Sequence, residues 1–128
     1  DLHVGGQVRN GTTKGIDENA LAAYNAPFPD DDHKQGVRQF PNLVPGTPRT
    51  PSAEPNKEAW KILREWKKPF LCAFSDKDPI FSGVENSFYK LIPGCKDMPH
   101  VTIQDAGHFL QEDQPEACVD ATLSIKDI

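Results

Sequence analysis

Two apolar runs of strand length, separated by a helical stretch, restrict this chain more than any other feature. Phe70-Leu71-Cys72-Ala73-Phe74 is continuous and apolar, and His100-Val101-Thr102-Ile103-Gln104 is β-branched at its centre. A continuous run fits a parallel strand buried on both faces, and β-branched residues favour strand. Between them, residues 86–91 read as a helix ended by Pro93-Gly94. Before the first run, residues 56–66 set Ala59, Trp60, Ile62, Leu63 and Trp66 at helical spacing. Trp60 and Trp66 are read as packing residues of that face, and Lys67-Lys68-Pro69 stops the helix. After the second run, Glu112-Asp113-Gln114-Pro115-Glu116 opens a last helix. Pro115 is tolerated in a first turn and the acids suit the positive end of the dipole. Ala117, Val119, Leu123 and Ile125 are expected to face the sheet. Helix, strand, helix, strand, helix is the order of an α/β protein with a parallel sheet. Two buried strands make an incomplete sheet, so the segment reads as part of something larger, with edges open to association.

The first half is different. Pro27, Pro29, Pro41, Pro45, Pro48, Pro51 and Pro55 all fall there, out of 12 prolines in the chain. Short helices and turns follow from that. Residues 1–14, with Gly5-Gly6, Gly11 and Thr12-Thr13, read as irregular chain. Residues 17–24 form a short helix with Asp17 as N-cap, ended at Asn25-Ala26-Pro27. Pro29-Asp30-Asp31-Asp32 starts another, to which Val37 and Phe40 give an apolar edge. Residues 41–55 are a proline-studded connector. The chain therefore divides at about residue 55, into residues 1–55 and residues 56–128.

Composition removes several function classes. A net charge of −5 without a basic cluster argues against nucleic-acid binding. No apolar run approaches the roughly 18–20 residues a membrane helix needs. Cys72, Cys95 and Cys118 are odd in number and form no CxxC, so they read as reduced thiols of a cytoplasmic protein. There is no HExxH and no phosphate-cradling glycine loop, so neither metal nor cofactor is expected. A first residue of Asp rather than Met reads as a fragment, a processed product or an incomplete start.

The chemistry sits where the strands end. Ligand sites of open α/β sheets lie outside the carboxyl ends of strands. One run ends in Phe74-Ser75-Asp76-Lys77-Asp78-Pro79, the other in Asp105-Ala106-Gly107-His108-Phe109-Leu110-Gln111. Histidine titrates in the range useful for proton transfer. A carboxylate on its far ring nitrogen fixes the tautomer and stabilises the imidazolium. Asp78 is the preferred partner of His108, and Asp76 competes with it. Neighbouring strand ends lie roughly 5 Å apart, within side-chain reach. His3, His33 and His100 are read as solvated.

At this point the residues resemble a known family. Tyr24-Asn25-Ala26-Pro27-Phe28-Pro29-Asp30 and Lys34-Gln35-Gly36-Val37-Arg38-Gln39-Phe40-Pro41 resemble the end of the cap domain of haloalkane dehalogenases, of the α/β-hydrolase superfamily. The likeness is to those whose catalytic acid follows the penultimate core strand. Phe74 to Pro79 resembles that acid loop, and Asp105 to Glu112 the histidine loop, which related esterases and epoxide hydrolases share. The resemblance runs from about residue 15 to the C-terminus. It implies the C-terminal part of an α/β-hydrolase fold, parallel strands with flanking helices, preceded by part of a helical cap. It implies His108 as general base, Asp78 as its orienting acid, and a pocket wall of Phe40, Pro41, Val44, Ile80 and Phe81. It implies a small apolar halogenated substrate, attacked by an aspartate to give an alkyl-enzyme ester, and a water that the histidine activates to hydrolyse that ester. The nucleophile elbow is missing, since neither G-x-D-x-x-G nor G-x-S-x-G occurs. The chain by itself is therefore expected to be inactive, with an N-terminal half or a second copy of itself as partner. An epoxide hydrolase or esterase of the same fold, or a truncated, non-catalytic and self-associating protein, are the alternatives.

Overall fold

The computed structural model describes residues 2–125. Both apolar runs pair in it, though over shorter spans than the sequence suggests. Strand β1 is Ala73–Ser75 and strand β2 is Val101–Ile103, parallel, with Ala73 opposite Val101 and Ser75 opposite Ile103. The first run enters the ladder late because its start is engaged elsewhere. The Phe70 N–H donates to the Gly94 carbonyl at 3.0 Å, in a 3-10 turn at Pro93–Cys95, and only the Cys72 carbonyl reaches β2, at Val101.

Helices cover the two faces. On one, α4 (Ala53–Leu63) and α5 (Glu85–Leu91) close over Cys72, Ile92 and Cys95, with Trp60, Leu63, Phe70, Phe74 and Phe88 packed around them. The Trp60 and Phe88 rings stack at 5.7 Å. On the other, α7 (Pro115–Ser124) lays Ala117 and Ala121 against Ile103 and Ala106. Pro115 opens α7 in its first turn, and Pro55 lies in the first turn of α4, where a missing N–H breaks no helical bond.

The faces of these two helices differ from the expectation. Ile62 is 66% exposed, Ala59 is exposed, and Trp66 lies beyond the end of α4. Val119, Leu123 and Ile125 are exposed as well. Small residues decide this: the i, i+4 pair Ala117 and Ala121 lets α7 approach β2 closely, which turns its larger side chains away.

The N-terminal residues are not irregular. Val4–Asn10 is a helix, α1, capped by the His3 imidazole accepting from the Gly6 N–H at 3.0 Å. Its glycines serve packing rather than looseness. A Cβ on Gly5 would stand 2.7 Å from the Leu21 carbonyl of α2 (Glu18–Asn25), so only glycine permits the two helices to touch there. Asp17 caps α2 as expected, accepting from the Ala20 N–H at 2.8 Å. Asp30 caps a 3-10 turn at Asp32–Lys34 that leads into α3 (Gln35–Gln39). A second 3-10 turn, Phe40–Leu43, begins the connector. No helix among the described residues is long and apolar enough to cross a membrane.

Cys72, Cys95 and Cys118 are free thiols, the first two buried. Burial, with Cys95 alongside, pushes the Cys72 thiol up to about 12. His100 is not solvated as the sequence suggests. Its Nδ1 accepts from the Cys72 N–H at 3.1 Å, so its proton lies on Nε2, which donates to the Cys95 carbonyl at 2.9 Å. Tyr89 packs over the ring at 4.3 Å. One imidazole thus holds the entrance of β1 to the turn before β2. His100→Ala strands a donor and an acceptor inside the fold and is expected to cost about 1–3 kcal/mol in urea unfolding. A loss below about 0.5 kcal/mol, the scatter of ordinary surface changes, would show that water replaces the ring without penalty.

Candidate active site

Both strands run the same way, so the chain leaves β1 and β2 at one edge of the sheet. The two loops that emerge are stitched together. Asp76 N–H donates to the Ile103 carbonyl at 3.1 Å and Lys77 N–H to the Ala106 carbonyl at 3.0 Å. The Ala106 N–H donates to the Asp76 carboxylate at 3.1 Å, and the Ser75 hydroxyl to the Gly107 carbonyl at 2.8 Å. Lys77 and Asp105 add an ion pair at 2.5 Å that is open to solvent and worth little.

This stitching separates the two candidate acids. Asp76 spends its carboxylate on the histidine loop's backbone. Asp78 turns inward, 8% exposed, and its two oxygens lie 3.2 and 3.1 Å from Nδ1 of His108. A carboxylate only accepts, so Nδ1 carries the proton and Nε2 is the nitrogen available to substrate or water. Burial pushes the Asp78 carboxyl up, but the N–H groups of Ile80 and Phe81 and the imidazole together hold it below its ordinary value. The imidazole itself is framed by Phe81 at 5.5 Å, stacked, and by Phe109 at 5.2 Å, edge-on.

His108 opens on a cleft of about 380 Å³, lined also by Pro79, Ile80 and Phe109, and on its far wall by Gln7, Asn10 and Gly11. Of the five pocket residues expected from resemblance, Ile80 lines this cleft and Phe81 stacks on the imidazole. Phe40, Pro41 and Val44 stand exposed on and after the Phe40–Leu43 turn and are not among the cleft's lining residues. The sequence does not reveal the α1 wall, because residues 1–14 read as irregular. Tyr24, the tyrosine of the cap-like stretch, donates to Glu112 at 2.5 Å, which raises its pKa. Among the described residues no cluster of His, Cys, Asp or Glu could hold a metal ion.

A second buried acid escaped the sequence. Asp113, in the short helix α6 (Leu110–Asp113), is 5% exposed and accepts backbone N–H groups from Gly107, Thr13 and Lys14. By sequence it is one of several acids at a helix start that suit the dipole, and nothing in its spacing marks it as buried. Burial pushes its carboxyl up, but those N–H groups outweigh that and leave it lowered.

Asp78 and Asp113 therefore both have folded pKa values below their unfolded ones. Their contribution to stability is complete above the ordinary carboxylate value and is lost as pH falls through the lowered values. Urea unfolding is expected to give a stability that declines as pH falls below about 4. Undiminished stability at about pH 2.5, where ordinary carboxyls are protonated, would contradict it.

No protein-family model matches the chain. Individual relatives do. It is 51% identical over 115 residues to a haloalkane dehalogenase of Psychrobacter cryohalolentis, an overlap of 90% of this chain and 38% of that protein. It is 40% identical over 123 residues to a haloalkane dehalogenase of Mycolicibacterium paratuberculosis, 96% of this chain and 40% of that protein. A haloalkane dehalogenase of Mycobacterium marinum is 41% identical over 112 residues, 88% of this chain and 37% of that protein. The chain thus spans about two-fifths of the length of the relatives it matches.

Proposed function

We propose that this chain, a homologue of the haloalkane dehalogenases over about two-fifths of their length, carries the base and orienting acid of a carbon–halogen hydrolase. The observation that supports it most is the contact of 3.1 Å between His108 Nδ1 and Asp78, at the edge of a cleft with an apolar wall of Pro79, Ile80 and Phe109. In this reading residues 1–55 are a cap remnant and connector, and residues 56–128 belong to the hydrolase core. An aspartate outside these residues attacks the carbon bearing the halogen. A C–O bond forms, the C–X bond breaks, and halide leaves with the bonding pair. His108 Nε2 then takes a proton from water while the water oxygen attacks the ester carbonyl. The intermediate collapses to carboxylate and alcohol, the alcohol keeping the proton of the intermediate's hydroxyl. The imidazolium proton passes to solvent. Asp78 holds the imidazole in the Nδ1–H tautomer and stabilises its charge. The wall of Pro79, Ile80 and Phe109 suits an apolar substrate and keeps stray water from the ester.

The sequence here has no elbow to supply the nucleophile. The 128-residue polypeptide alone is expected to release no halide from 1-bromobutane. Grafted in place of the matching stretch of the Psychrobacter cryohalolentis relative, it is expected to complete a working enzyme. Halide release by the isolated chain, abolished in His108→Ala, would overturn the first expectation. A grafted protein that folds but releases no halide would overturn the second and the dehalogenase reading with it.

A further inference from the structure

The cleft has two walls built from distant parts of the chain, and a buried carboxylate bonds to both. Asp113 Oδ2 accepts from the Gly107 N–H at 2.8 Å, directly before His108. The same carboxylate accepts from the Thr13 N–H at 2.9 and 3.0 Å and from the Lys14 N–H at 3.2 Å. Lys14 Nζ also donates to the Asp113 carbonyl at 3.3 Å. Around this knot the Phe109 N–H donates to the Gly11 carbonyl at 3.2 Å, and the Thr13 hydroxyl to the Asp105 carbonyl at 2.9 Å. Residues 11–14 follow α1, whose Gln7 and Asn10 face His108 across the cleft. A buried carboxylate with this many N–H donors is held in one orientation, because any turn of it leaves a donor unpaired.

We infer that Asp113 is a positioning residue, its carboxylate fixing the height of the His108 loop and its distance from the α1 wall alongside the Phe109–Gly11 and Thr13–Asp105 bonds. The inference rests on His108 as the base, and it extends that reading: the reach of the base into the cleft and the width of the cleft are set together. Asp113 touches neither substrate nor imidazole; it acts through Gly107 and Thr13.

The test is imidazole NMR and amide exchange on the isotope-labelled chain, with circular dichroism to monitor the fold. In Asp113→Asn the carboxamide cannot serve the same donors. The Gly107, Thr13 and Lys14 amides are expected to exchange about tenfold faster or more, and the His108 Nδ1–H resonance to move or broaden. A carboxylate that is structural only would speed the amides and leave the imidazole resonance in place; that outcome overturns the inference. Asp78→Asn is expected to do the reverse, removing the imidazole resonance while the three amides stay protected. If Asp113→Asn does not fold, Gly11→Ala carries the test from the other wall. Its Cβ would lie 2.5 Å from the Phe109 ring, which packs edge-on to His108. The His108 resonance is expected to move, and an unmoved one overturns the inference. Halide release by the grafted enzyme is a separate readout. Its absence, with the imidazole responding to Asp113→Asn, removes the dehalogenase reading and leaves the positioning role standing.

Discussion

His108→Gln in the grafted enzyme is expected to release one equivalent of halide per site and then stop. The first displacement needs a nucleophile and an apolar cleft, neither of which the imidazole provides. The second step needs a base for water, and glutamine has none. A positioned general base contributes on the order of 10²–10⁴-fold, so the covalent ester should persist and add the mass of the alkyl group to the protein. Asp78→Asn separates two functions of the pair. An amide can offer its NH₂ to Nδ1 and so favour the wrong tautomer, with the proton on Nε2. The equivalent change in a serine-protease triad lowers turnover by roughly 10⁴. The loss should fall on kcat for hydrolysis, with the halide burst retained. Rapid-quench halide measurement and intact mass read both steps. Turnover within about tenfold of the unaltered enzyme in His108→Gln, against the larger loss a missing general base brings, would show that another group activates the water.

How far this site can be read in the sequence depends on which force makes each part. The strands and their end loops are legible, because apolar runs, β-branching and helix stops are local signals. The cap of α2 by Asp17 and the helix Glu85–Leu91 follow from the same kind of signal. Asp76 and Asp78 are two residues apart in one turn, and the sequence offers both. Only the stitching of one loop to the other gives Asp76 to the Ala106 N–H and turns Asp78 toward the imidazole. The α1 wall is illegible for a related reason. Gly5 and Gly6 weaken helix propensity, so local signals point to irregular chain. The gain that outweighs this is close packing on α2, which depends on residues far along the chain. Asp113 is the same case: its N–H donors on Thr13 and Lys14 lie about a hundred residues away. The exposed side chains of α7 reverse a periodicity argument, because Ala117 and Ala121 win the contact by being small.

Gly107→Ala is expected to be the most damaging single methyl group in the site. Gly107 does not have a positive φ, so its backbone conformation suits alanine. Space is the constraint. A Cβ would stand 2.5 Å from the Gly11 carbonyl oxygen and 3.3 Å from its carbon. Both are backbone atoms, so no rotamer change relieves the contact. The histidine loop must lift away from residues 11–14, and the bonds that cross this seam lengthen: Gly107 N–H to Asp113, Ser75 hydroxyl to the Gly107 carbonyl, Phe109 N–H to the Gly11 carbonyl. Overpacking together with an under-satisfied buried carboxylate puts the loss at about 2–4 kcal/mol in urea unfolding. Gly36→Ala provides the contrast. Nothing lies within 4 Å of its Cβ position and it sits inside α3, so the same methyl group there is expected to stabilise the chain by about 0.5–1 kcal/mol. If Gly107→Ala instead unfolds within about 0.5 kcal/mol of the unaltered chain, the range of uncoupled surface changes, the two loops do not meet as closely in solution. The link from the α1 wall to the imidazole would then lose its physical basis, because it depends on that close approach.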